Sequence, residues 1–138
     1  MTSLSEMLGN LIYEGRGKIT VTRVVDVEEN KVEHSAAGNG RLKDTDTAEI
    51  DTFWAIPVGK NVVYGEGQGI LYPKIGGIVT FKGYGIGTAN EGGKTSFRGT
   101  NFYKTSSTEL SFINNMIGVF EFEVDESGNT ELKVWEWK

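Results

Sequence analysis

The chain has 138 residues, a net charge of -5 and no cysteine. That suits one globular domain and excludes disulfides, thiolate nucleophiles and thiolate metal sites. Hydrophobic residues make up 38% and charged residues 24%, too apolar a balance for disorder, and the scattered acidic charge offers no basic face to nucleic acid.

The first ten residues, MTSLSEMLGN, form a lead-in to a single domain spanning residues 1–138. They carry no basic region and no long apolar run, so no signal peptide is expected. No segment has the length to span a bilayer, and the expectation is a soluble cytoplasmic protein without a membrane partner. SLSEML has the composition for one helical turn.

From there the period of hydrophobicity is two, the signature of half-buried strands. In LIYEGRGKITVTRVV, Tyr13, Gly15, Gly17, Ile19 and Val21 take one face, and Glu14, Arg16, Lys18, Thr20 and Thr22 the other. DVEEN turns the chain. KVEHSAAGNGRL then places Val32, His34, Ala36, Gly38, Gly40 and Leu42 together. After KDTDT, AEIDTFWAIPV puts Ile50, Trp54 and Ile56 on the apolar parity, with Glu49 and Asp51 opposite, so the acidic run reads as a solvated strand edge.

NVVYGEGQGIL and GIVTFKGYGIG follow, joined through YPKIGG. A hairpin folded about Ile75 sets Gly67 opposite Gly83 and Gly65 opposite Gly85. GKTSFRGTNFYKT alternates Phe97, Gly99, Asn101 and Tyr103 against Ser96, Arg98, Thr100 and Lys104. Residues 106–115 form a loop or short helical turn, with Ser107 or Thr108 near Glu109 as a capping signature. IGVFEFEV faces Phe120, Phe122 and Val124 away from Glu121 and Glu123, and TELKVWEWK carries apolar residues on both faces.

About eight strands with short polar turns predict an all-β fold: one eight-stranded antiparallel up-and-down barrel, calycin-like. The recurrent in-strand GxG pairs fall on the presumed inner face. Glycine weakens a strand, so it serves either the sharp coiling of a small barrel or interior room. Large aromatics across the barrel fill that room, or a cavity remains.

The candidate ligand-binding residues are therefore the inward aromatics Tyr13, Trp54, Phe81, Phe97 and Phe120, with Asn101 to orient a polar atom. The ligand would be a small apolar molecule. His34 alone has an ordinary pKa near neutrality and would be a general acid or base at the barrel mouth; Tyr103, on the inner face of its strand, is the other candidate catalytic residue. Glu66 and Arg98 should point outward; with the faces inverted they would be buried, and Glu66 would become a candidate base.

GYGIG and the GKT at Gly93 to Thr95 lack the strand-to-helix context of phosphate loops. The acidic run has no calcium-loop spacing, and one histidine without cysteine makes no zinc site. No metal and no cofactor are expected.

The long alternating strands, the GxG pairs, the SFRGTNFY segment and the closing strand resemble the small barrels of the allene oxide cyclase and dirigent type, together with uncharacterised microbial proteins of that barrel. The likeness runs from Leu11 to Trp137. No catalytic motif matches, so no functional residue is carried over. The resemblance implies an eight-stranded antiparallel barrel and a homo-oligomer, a dimer or trimer. Enzymes of the type guide cyclisation or coupling of an apolar substrate, mostly by shape. Three readings follow: a small-molecule-binding barrel, an isomerase or cyclase using the same cavity, and a filled barrel that serves association.

Overall fold

The computed structural model describes residues 8–138, so the lead-in turn expected from SLSEML lies almost wholly outside the described residues. Eight antiparallel strands close on themselves. They are β1 (Leu11–Asp26), β2 (Lys31–Leu42), β3 (Thr45–Gly59), β4 (Val62–Pro73), β5 (Val79–Ala89), β6 (Thr95–Thr105), β7 (Ile117–Val124) and β8 (Asn129–Glu136). Each strand pairs with the next, and β1 pairs with β8. Closure leaves no free sheet edge. The eight-stranded antiparallel up-and-down barrel read from the sequence is the observed fold.

The hairpin of β4 and β5 has the expected register, with Gly67 opposite Gly83 and Gly65 opposite Gly85. Two strands depart from the expected faces. In β1 a bulge between Ile19 and Val21 leaves Thr20 out of the ladder. Val21 is turned to solvent, and Thr22 takes the inner face opposite His34. In β3 the parity is inverted. Glu49 is buried while Ile50 is half exposed. The inner face of β3 is Thr45, Thr47, Glu49, Asp51 and Phe53, and Trp54 lies outside.

The barrel has one plugged end. A 3-10 turn, Ser111–Asn115, lies there with no side-chain cap, so Ser107, Thr108 and Glu109 do not form the expected capping signature. Its Ile113 joins Ile12, Leu42, Leu71, Val79, Leu110 and Met116 in the core. A fully buried Leu or Ile side chain is worth about 1.5–3 kcal/mol, so this end is the stable floor. At the other end the β1–β2 and β3–β4 hairpins overhang the rim, and Val24, Val27 and Val58 stay exposed. Among the described residues no helix is long and apolar enough to cross a membrane.

Candidate functional site

The inward glycines are sockets for aromatic rings. A Cβ on Gly69 would stand 2.5 Å from the Phe81 ring, and one on Gly87 would stand 2.6 Å from the Phe97 ring. A Cβ on Gly85 would meet Phe120 at 3.0 Å, and one on Gly15 the Tyr13 ring at 2.7 Å. The small residues and the rings thus interlock within and between strands, leaving no room for a larger side chain at these positions.

The interlock is not complete. A cavity of ≈ 60 Å³ remains in the barrel, bordered by Phe53, Phe81, Phe97, Phe120, Phe122 and Leu132, with Asp51 and Asn101 as its polar boundary. That is room for about four water-sized groups, well below the roughly 300–1,000 Å³ of drug-sized pockets. Phe53 stands edge-on to Phe122 at 5.1 Å and to Phe97 at 6.4 Å, so the walls are an aromatic cluster in favourable geometry.

Below this chamber lies a polar layer that sequence reasoning missed. Tyr13 donates its hydroxyl hydrogen to Glu49 Oε1, both side chains buried. Burial, then the charge and hydrogen bond of Glu49, hold the Tyr13 phenol well above the usual phenol range. Asp51 follows Glu49 on the same inner face. Burial pushes its carboxyl up to about 9, with the hydrogen bond and charge of Glu49 adding to the rise. Asp51 therefore keeps its proton at neutral pH.

Asp51 Oδ1 is buried with no hydrogen-bond partner among the described residues. Thr47 Oγ1, two positions before Glu49, is the other such atom. Asn101 donates from Nδ2 to the Tyr103 hydroxyl at 3.2 Å. Burial keeps the Tyr103 phenol protonated far above neutrality.

Of the sequence-predicted site residues, Phe81, Phe97, Asn101 and Phe120 come together around the cavity. Tyr13 is inside but is engaged with Glu49. Trp54 is not an inner residue. Its indole sits outside, with the Lys31 ammonium 4.0 Å above it and Tyr64 edge-on at 5.8 Å. Only its main chain borders the interior, its carbonyl oxygen 3.2 Å from where a Gly65 Cβ would stand.

His34 faces inward at the rim. It stacks tilted on Phe53 at 5.1 Å, and its Nδ1 shares a hydrogen bond with Thr22 at 2.8 Å. Partial burial lowers its pKa. Tyr103 bonds instead to Asn101, so the two candidate catalytic residues are not a hydrogen-bonded unit. Glu66 and Arg98 point outward as expected: Glu66 accepts from Tyr64, and Arg98 faces Glu121 at 3.5 Å. Among the described residues no three metal-ligating side chains stand together.

The missed pair left one usable signal. Leu42 is inward and a two-residue connection joins it to Thr45. Counting by twos from Thr45 through that hairpin gives Thr47, Glu49, Asp51 and Phe53 the inner face.

No family model and no curated protein matches the sequence. The fold has solved counterparts. A β-barrel-like protein from Acinetobacter baumannii superposes with a TM-score of 0.77 at 11% identity, over 93% of this chain and 94% of that one. A conserved protein of unknown function from Rhodopseudomonas palustris gives 0.75 at 10% identity, over 91% and 94%. An enzyme from Penicillium herquei gives 0.64 at 10% identity, over 99% and 100%. At such identities the likeness is one of fold: this chain is similar to small β-barrel proteins of unknown function and to one enzyme.

Proposed function

We propose that the barrel interior binds a small, mainly hydrocarbon molecule. The observation that carries this is the ≈ 60 Å³ chamber walled by five phenylalanines, left open in a barrel whose glycine sockets are otherwise filled. A dry apolar void of this size is an attractive host for an apolar guest. The test is xenon, a spherical apolar probe, followed by NMR. Dose-dependent shifts of Leu132 methyl and Phe120 ring resonances are expected. No shift there at several atmospheres would remove the reading.

A second reading, an isomerase or cyclase of the allene oxide cyclase type, draws on the neutral Asp51 acid beside an apolar chamber, with Tyr103 and Asn101 as helpers. Such an acid can protonate a substrate sheltered from water. Turnover lost in Asp51→Asn with binding retained would support it. Self-association draws on the outer face of β8, where Trp135 lies between Leu11 and Val119 in one cross-strand row. Phe102 and Ile117 pair nearby, both substantially exposed. Light scattering on the purified protein, with Phe102→Lys as the comparison, tests that surface.

A further inference from the structure

The chamber's polar boundary has a one-sided chemistry. Asp51 Oδ1 has no hydrogen-bond partner among the described residues. Asn101 is 3% exposed, and while its Nδ2 serves Tyr103, its Oδ1 lies over Gly83 and receives no hydrogen bond among the described residues. Both free atoms are acceptors on the cavity wall. A guest that satisfies them must bring donors.

The charge is equally one-sided. Glu49 is 8% exposed, and its nearest help is the neutral phenol of Tyr13. Among the described residues no lysine or arginine is buried. The half-buried ones, Lys31 and Lys133, lie over Trp54 and beside Glu14 and Glu131 on the outer face. His34 is occupied with Thr22 at the rim. Buried carboxyl groups in folded proteins are ordinarily met by a cation or by hydrogen-bond donors, and among the described residues no buried cation meets Glu49 and Asp51. The chamber that Asp51 borders is walled by five phenylalanine rings, the environment that attracts a desolvated organic cation.

We propose that the interior site takes a small alkylammonium ion, its N–H groups on Asp51 and Asn101 and its hydrocarbon part among Phe53, Phe97, Phe120 and Phe122. This rests on the reading of the chamber as a binding site and names its ligand class. Donor count, charge and size all select the same class. A neutral hydrocarbon leaves both acceptors unsatisfied, and an inorganic cation leaves the aromatic walls unused. A carboxylate or phosphate would bring further acceptors to a wall whose free atoms are already acceptors. The chamber admits about three or four heavy atoms, which limits the ion to short chains.

The experiment compares three probes by NMR on the same folded protein: xenon, ethanol and ethylammonium chloride. Ethanol and ethylammonium match in length and both donate hydrogen bonds, so they differ mainly in charge. We expect ethylammonium to bind at least about tenfold tighter than ethanol, a difference of the size that buried carboxyl groups and aromatic walls give a cation. In Glu49→Gln that preference should fall to within about twofold while xenon still binds. Xenon binding with ethylammonium no better than ethanol would overturn the cation assignment and leave the apolar reading standing. Absence of xenon binding would overturn the chamber reading and this inference with it. Should Glu49→Gln fail to fold, the ethylammonium-to-ethanol comparison in the natural sequence decides alone.

Discussion

The hydroxyl of Tyr13 donates to Glu49 across the barrel interior, from β1 to β3, inside the sockets made by Gly15 and Gly40. The ring's position gives a buried carboxyl its hydrogen-bond donor. Tyr13→Phe keeps the packing and removes the donor. A buried carboxyl oxygen left without its hydrogen bond costs about 1–3 kcal/mol. Urea unfolding at pH 7 should show that loss. In a Glu49→Gln background the same substitution should cost less, because the carboxyl that the phenol serves is gone.

Asp51 sets a pH dependence. Its carboxyl is held up to about 9 in the folded barrel, against an ordinary value of 3.8. Between these values the unfolded chain has released the proton and the folded chain retains it. The group's contribution is thus complete below the unfolded value and is lost as pH rises through the folded one. The titratable group that acts on it is Glu49, two residues earlier on the same face. Asp51→Asn keeps a donor for Glu49 and removes the titration. Relative to wild type, its stability should rise between pH 5 and 9, with a limiting slope of about 1.4 kcal/mol per pH unit. Denaturant curves at three pH values measure the difference.

His34 titrates in the opposite sense. Burial favours its neutral form, so its pKa is lowered. The stability it contributes is present above the unfolded value and lost as pH falls through the folded one. Its ring C–H resonance should titrate below the ordinary 6.5 in the folded protein. Thr22→Val, which removes its hydrogen-bond partner, should move that midpoint.

The socket arrangement predicts a coupled pair of substitutions. A methyl group on Gly69 would stand 2.5 Å from Phe81 and 2.9 Å from the Asp51 Cβ. Gly69→Ala should destabilise by about 1–3 kcal/mol through overpacking. Combined with Phe81→Leu, which withdraws the ring, the cost should be smaller than the sum of the two single costs. Thermal unfolding of the four proteins closes that cycle.

Enlarging the chamber tests its role. Phe97 is buried and borders the cavity. Phe97→Ala should cost about 3–5 kcal/mol and open space for a flat aromatic guest. The variant's Tm should then rise with added benzene, by mass action on the folded state, while the wild-type value should not.

What the sequence revealed, and what it hid, follows from how each strand announces its faces. The β4–β5 hairpin was legible because glycines alternate on both sides of its turn, and a single fold point fixes all its pairs. Phe81, Phe97, Asn101 and Phe120 were legible for the same reason, since their strands keep strict alternation. In β3 the inference failed because aromatic residues stand on both parities: Phe53 and Trp54 are adjacent. The rule that apolar residues point inward chose Trp54 and Ile50 over Phe53, and it sent Glu49 and Asp51 to the surface. The rule fails where a barrel keeps polar groups in its middle. Propensity and patterning carry no sign of that exception, whereas the register through the Leu42–Thr45 connection does.

The bulge in β1 carries a last consequence. The ladder skips Thr20, so Val21 pairs with Ser35 and Thr22 with His34. Were Thr20 counted in the ladder, Thr20 would face Ser35 and Val21 would face His34. The imidazole would then meet a methyl group in place of a hydroxyl. One uncounted residue acts as a phase shift in the strand, and the hydrogen bonding of the chain's sole histidine depends on it. Deleting Thr20 should therefore make the ladder regular and keep the Thr22–His34 pair, whereas deleting Val21 and closing the bulge should do the same only with Thr20 facing Ser35.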